Sequence, residues 1–119
     1  EEAYQVSSST NVFPEVCGRV CPQDRLCEGN CVVEQAGFGA ITIGNLEKYL
    51  TELAWEKGWV KNIEINSLSK KKVAIIGSGP AGMAASSYLI QNGYHVDVFE
   101  KNDRVGGLMI YGIYKFLTK

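Results

Sequence analysis

The chain has 119 residues, 45% of them hydrophobic and 21% charged, with a formal net charge of −1. That balance suits one or two globular domains and lacks the basic surplus that draws nucleic acid or anionic lipid. No apolar run approaches the roughly 20 residues of a membrane helix. The opening Glu1-Glu2-Ala3-Tyr4 lacks the basic-then-apolar order of an export signal, so a cytoplasmic location is expected.

Residues 1–13 read as the end of something longer, with Ala3, Tyr4 and Val6 closing a helix that Ser7 to Asn11 stops. Residues 14–40 read as loop, rich in Gly, Pro and Cys, and hold every cysteine of the chain: Cys17-x3-Cys21-Pro22-x4-Cys27-x3-Cys31. Disulfide frameworks spread their cysteines, whereas clustering without an export signal reads as metal or cluster ligation. Structural zinc sites favour C-x2-C pairs, and proline after cysteine is frequent in ferredoxin-type runs. Iron–sulfur ligation leads, with zinc, disulfides or free thiols as alternatives.

An amphipathic helix is expected from Thr42, its stripe formed by Leu46, Tyr49, Leu50, Leu53 and Ala54. Thr42 suits the N-cap and Gly58 a left-handed C-terminal stop, with Trp55 and Trp59 packing that end. Residues 61–71 form a polar linker.

Beyond Lys72 the style changes. Val73 to Ile76 is an apolar run suited to a strand buried on both faces. A helix with its stripe at Ala81, Ala84, Ala85, Tyr88 and Leu89 follows and ends at Gly93. Val96, Val98 and Phe99 mark a second strand ending at Glu100. This is a βαβ order, for which a parallel pair is expected.

Between strand and helix runs Gly77-Ser78-Gly79-Pro80-Ala81-Gly82, a G-x-G-x-x-G in the strand–turn–helix setting that makes it a dinucleotide fingerprint. Gly77 allows the tight turn, Gly79 lets a pyrophosphate approach the backbone, and Gly82 lets the helix pack on the sheet. Free N–H groups at the helix start hold the phosphates. Glu100 accepts from the adenosine ribose and disfavours a 2′-phosphate, which argues against NADP at this position. Arg104-Val105-Gly106-Gly107 adds a glycine pair typical of two-dinucleotide-binding flavoproteins. The expected FAD-contacting set is Gly77 to Gly82, Glu100, Lys101, Gly106, Gly107 and Leu108. An NAD site or a ligand-free turn are the alternatives.

The run from Pro14 to Cys31, the segment Ala40-Ile41-Thr42-Ile43-Gly44-Asn45-Leu46-Glu47-Lys48-Tyr49, and Lys72 to Gly77 together resemble the glutamate synthase small (β) subunit of the bacterial type. Dihydropyrimidine dehydrogenase and NADPH:ferredoxin transhydrogenases share the module. The resemblance implies an α/β chain: a small helical iron–sulfur domain over 1–67, then an incomplete Rossmann-like βαβ FAD unit over 68–119. It implies two [4Fe-4S] clusters shared with a cysteine motif preceding residue 1. Cys21, Cys27, Cys31 and Glu47 are the implied ligands and Cys17 a further candidate; read without the resemblance, Glu47 is an exposed helix residue. It also implies NADPH as substrate at a domain beyond this chain and a glutamate synthase large (α) subunit as partner. Electrons would pass from NADPH through FAD and the clusters to that subunit, where glutamine and 2-oxoglutarate become glutamate. The alternatives are a related iron–sulfur flavoprotein of the ferredoxin:NADP oxidoreductase or dihydropyrimidine dehydrogenase type, or a catalytically silent zinc-bound or apo module that self-associates through an unpaired sheet edge. Tyr114 departs from the proline usual in the family. No Ser-His-Asp or Cys-His set can be assembled. His95 reads as solvent-facing, Met83 and Met109 as packing, and Arg19 and Arg25 as charge partners of the cysteine segment or surface ion pairs.

Overall fold

The structure is a computed structural model that describes residues 1–63, 65 and 70–113. The expected domain boundary at 67/68 and Tyr114 lie outside the described residues. The chain forms two units that divide after Val60.

The first unit is helical: α1 (Glu2–Ser8), α2 (Pro14–Val20), α3 (Val32–Gln35) and α4 (Ile43–Glu56). The segment read as loop over 14–40 thus contains two helices. Pro14 opens α2, where its missing N–H costs nothing and its fixed φ suits the first turn. α4 begins after Thr42, although the Thr42 side chain makes no capping bond. Its end is a Schellman closure: Gly58 sits at φ +67°, and the N–H groups of Gly58 and Trp59 donate to the carbonyls of Trp55 and Ala54.

α2 packs along α4, and α1 also touches α4. The contact is made by small residues. A Cβ on Gly18 would stand 2.8 Å from the Gly44 carbonyl oxygen and 3.2 Å from the Glu47 Cβ, so the two backbones approach as closely as glycine allows. The buried face of α4 is therefore Gly44, Thr51 and Ala54. The expected stripe is displaced: Leu46 and Tyr49 are exposed, and only Leu50, Leu53 and Ala54 turn inward. Trp55, expected to pack, is 68% exposed, while Trp59 is half-buried. Arg19 bridges the pair, with Nη2 2.6 Å from Glu52 and Nη1 donating to the Glu15 carbonyl. Arg25 pairs with Asp24 at the surface, Nε 3.8 Å from Oδ2.

The second unit is a βαβ element with strands β1 (Lys72–Ile76) and β2 (His95–Phe99) around helix α5 (Pro80–Gln91), followed by the short α6 (Leu108–Tyr111). The strands pair in parallel, Lys72 opposite His95 through Ile76 opposite Phe99. α5 ends at Gly93 in the same way that α4 ends at Gly58. α5 packs against both strands. Its inner face is Gly82, Met83, Ser86, Leu89 and Ile90, while Ala81, Ala85 and Tyr88 of the expected stripe are exposed. The start of α5 fixes this rotation: a Cβ on Gly82 would lie 2.0 Å from the Gly77 carbonyl oxygen and 3.4 Å from the Ile75 side chain. β1 is half-buried rather than buried on both faces, with Val73 and Ile75 under α5 and Ile76 84% exposed on the other side. Among the described residues no element covers that second face. His95 is exposed as expected, and Met109 is buried.

Candidate dinucleotide site and cysteine cluster

The nucleotide unit brings most of the expected residues to one place, and their contacts assign each a task. Gly77, at φ +96°, turns the chain out of β1, and its N–H donates to the Phe99 carbonyl. Gly79 has nothing within 4 Å of where a Cβ would stand, so the turn leaves open space above its backbone. Gly82 closes the helix start onto the turn. Pro80 fills the first helical position, where no N–H is needed. The Gly106-Gly107 loop seats on the same turn. Gly106 N–H donates to the Ser78 carbonyl at 2.9 Å, and a Cβ on Gly107 would meet the Gly79 Cα at 2.8 Å. Leu108 and Lys101 are exposed beside it.

Glu100 reaches back from the end of β2 to the turn. Its Oε2 accepts from the Ser78 N–H at 2.9 Å and the Ser78 hydroxyl at 2.6 Å. Its Oε1 accepts from the Asn102 N–H at 2.9 Å and the Asn102 Nδ2 at 2.8 Å. The Ser78 hydroxyl, then the two backbone N–H groups, hold the carboxyl well below its ordinary value, at about 2, so it is ionised across the working pH range. Ser78 is buried, at 1% exposure. The Ser78 N–H is thus engaged by Glu100, and the N–H groups of the first turn of α5 are the donors expected to hold phosphate. Neither Ser78 nor Asn102 stood out for a role in anchoring the acid. The available signal was a hydroxyl in the turn and an Asn two residues after the acid, a spacing at which an Asn side chain readily folds back on its neighbours. Beyond the loop, Tyr111 donates to Asp103, which pushes its phenol up.

An adenosine-pyrophosphate group fits this architecture. The opening at Gly79 would be closed by any Cβ, the helix start supplies unpaired N–H groups, and the carboxylate stands at the end of the second strand.

The cysteines are placed differently. Cys17 and Cys21 lie one turn apart at the end of α2, thiol against thiol. Burial, then Cys17, the Glu47 carboxylate and Cys27, raise the Cys21 thiol, so these four groups share one neighbourhood. Cys31 lies beyond a tight loop and is pulled down by backbone N–H groups of Ile41, Glu34 and Val33. Asn11 ties the region together: Oδ1 accepts from the Phe13 N–H and the Cys17 thiol, and Nδ2 donates to Glu47 Oε1 at 3.3 Å. All four cysteines are free thiols. Among the described residues, however, no three His, Cys, Asp or Glu side chains converge to hold a metal ion. Among the described residues, Cys21, Cys27, Cys31 and Glu47 therefore do not form one closed ligand set.

A glycine turn met by an acid from the end of the second strand, in a chain that also carries a helical unit with four cysteines, defines the class: a dinucleotide-binding βαβ unit and an iron–sulfur-type module. Residues 1–59 match the family model for dihydropyrimidine dehydrogenase domain II, 4Fe-4S cluster, and residues 75–112 match that for an NAD(P)-binding Rossmann-like domain. The chain is 57% identical over 113 residues to the glutamate synthase (NADPH) small chain of Azospirillum brasilense, covering 95% of this chain and 23% of that one. It is 50% identical over 115 residues to the small chain of Escherichia coli K12, covering 97% and 24%. It is 46% identical over 116 residues to the putative oxidoreductase AegA of the same organism, covering 98% and 18%. The chain is thus a relative of the glutamate synthase small chain, and it spans about a quarter of the length of the small chains it matches. No described helix is long and apolar enough to cross a membrane.

Proposed function

We propose that this chain is the cysteine-module and FAD-anchoring part of an NADPH-dependent glutamate synthase small subunit, an oxidoreductase of the cytoplasm. In the whole protein, NADPH bound at a further domain supplies electrons that travel by way of FAD and [4Fe-4S] clusters to a large subunit. There they serve the formation of glutamate from glutamine and 2-oxoglutarate. The identity along nearly the whole chain and the 4Fe-4S match over residues 1–59 support this reading.

The observation that carries the local part is the meeting of Glu100 with the glycine turn across open space at Gly79. Gly79 and the start of α5 receive the pyrophosphate, Glu100 receives the adenosine ribose, and the Gly106-Gly107 loop braces the turn. Flavin, when bound, accepts a hydride as an electron pair and releases electrons singly. The residues here anchor its adenosine half and contact no reacting atom. The match to AegA supports a second reading, a related oxidoreductase with another electron acceptor. Titrating the chain with FAD and following quenching of flavin fluorescence tests the anchor. Saturable one-to-one binding, competed by ADP, is expected; no binding at millimolar ADP or FAD sinks the assignment.

A further inference from the structure

Glu100 is fully subscribed. A carboxylate offers about four lone-pair positions, two on each oxygen. Ser78 fills both positions on Oε2, and Asn102 fills both on Oε1. A ribose hydroxyl that donates to this carboxylate must take the place of one of the four donors. Two are backbone N–H groups, fixed by the turn after β1 and by the chain between residues 100 and 102. The third, the Ser78 hydroxyl, is buried, and its residue is pinned by the Gly106 N–H on its carbonyl. The fourth, the Asn102 carboxamide, is exposed and leaves by a rotation of its own side chain.

We propose that Asn102 is an exchangeable cap on Glu100, a positioning residue whose carboxamide yields Oε1 to a ribose hydroxyl of the incoming adenosine nucleotide. The proposal rests on the nucleotide site described above and adds to it the residue that sets its affinity. Without ligand, Asn102 keeps the carboxylate aimed at the turn. With ligand, its backbone N–H stays in place and only the amide group swings out to water. The cap therefore competes with the ribose, and removing it favours the bound state.

The test compares the dissociation constant of ADP for the chain and for Asn102→Ala by calorimetry, then repeats both with 2′,3′-dideoxy-ADP. Asn102 is exposed and its backbone bond survives in alanine, so the fold is not at stake. Losing one competing charge-assisted hydrogen bond to solvent is expected to tighten ADP binding about three- to tenfold. The gain should vanish with the dideoxy nucleotide, which has no hydroxyl to offer Oε1. If the chain binds ADP and Asn102→Ala binds it equally or more weakly, the exchange is wrong while the nucleotide site stands. An equal gain for ADP and dideoxy-ADP also overturns the exchange, because the effect would not pass through the ribose. If neither form binds ADP, the nucleotide site and the exchange fall together.

Discussion

Adding one methyl group at Gly82 and one at Gly79 should have opposite consequences, although both lie in the same fingerprint. At Gly82 the new Cβ would stand 2.0 Å from the Gly77 carbonyl oxygen, about 1 Å inside the closest approach that Cβ atoms make. No rotamer relieves this, because the backbone fixes where the Cβ stands and the oxygen it meets is itself backbone, so α5 must lift from β1 or the turn must open. Alanine gains about 1 kcal/mol over glycine inside a helix. Overpacking against backbone costs up to about 3 kcal/mol. The clash wins, and Gly82→Ala should lose about 2 kcal/mol. For a domain of this size that is roughly 10 °C in melting temperature. At Gly79 the Cβ meets nothing within 4 Å and φ is −68°, so Gly79→Ala should fold as well as the parent. Its methyl, however, occupies the space left for a pyrophosphate, and ADP affinity should fall at least tenfold. Urea unfolding followed by circular dichroism, with ADP titration on the same samples, reads both effects. An unchanged midpoint for Gly82→Ala, or a larger loss for Gly79→Ala, would refute the packing argument.

Three further outcomes follow from the geometry. Gly58→Ala forces alanine into a left-handed conformation at the end of α4 and should cost about 1 kcal/mol, read as a lowered urea midpoint. The Glu100 carboxyl titrates at about 2 when folded against an ordinary value of 4.5, so its stabilisation is complete above pH 4.5 and is lost as pH falls toward 2. Glu100→Gln should accordingly be less stable than the parent at pH 7, with the gap narrowing across that window; a gap that stays constant contradicts the bonded carboxylate. Finally, because the described cysteines and Glu47 form no closed ligand set, the chain purified in air should contain well under one [4Fe-4S] cluster. Iron and acid-labile sulfide assays near four per chain would show that its own residues suffice.

Much of the nucleotide unit was legible because its signals are backbone requirements. The order strand, glycine turn, helix, strand and acid left little freedom, and Glu100 does meet the turn. What the acid meets there was hidden, since Ser78 and Asn102 are common turn residues whose partners depend on where two distant segments finish. Periodicity located α4 and both of its ends but misplaced its buried face. Hydropathy weights Leu46 and Tyr49, whereas Gly44, Thr51 and Ala54 are small enough to let α2 approach. The same bias favoured Ala81, Ala85 and Tyr88 over Gly82 and Ser86 on α5. In the cysteine module, spacing announced metal chemistry without placing the thiols. Their arrangement depends on α2 and α3, formed in a stretch whose Gly and Pro content reads as loop.

The pairing of β1 with β2 also constrains how this unit assembles in time. Each rung of the parallel ladder, from Lys72–His95 to Ile76–Phe99, joins residues the same distance apart in the chain. A hairpin begins at its turn, where loop closure costs little, and zips outward; this ladder has no short-range rung from which to start. Its first contact must close the whole intervening segment, and that entropic cost falls once α5 has shortened the path. The barrier to folding should therefore lie at the docking of α5, with Gly82 seated on Ile75 and the Gly77 carbonyl, before either strand has a partner. A glycine that lets the helix close onto the turn in the native state would then also set the rate at which the native state is reached.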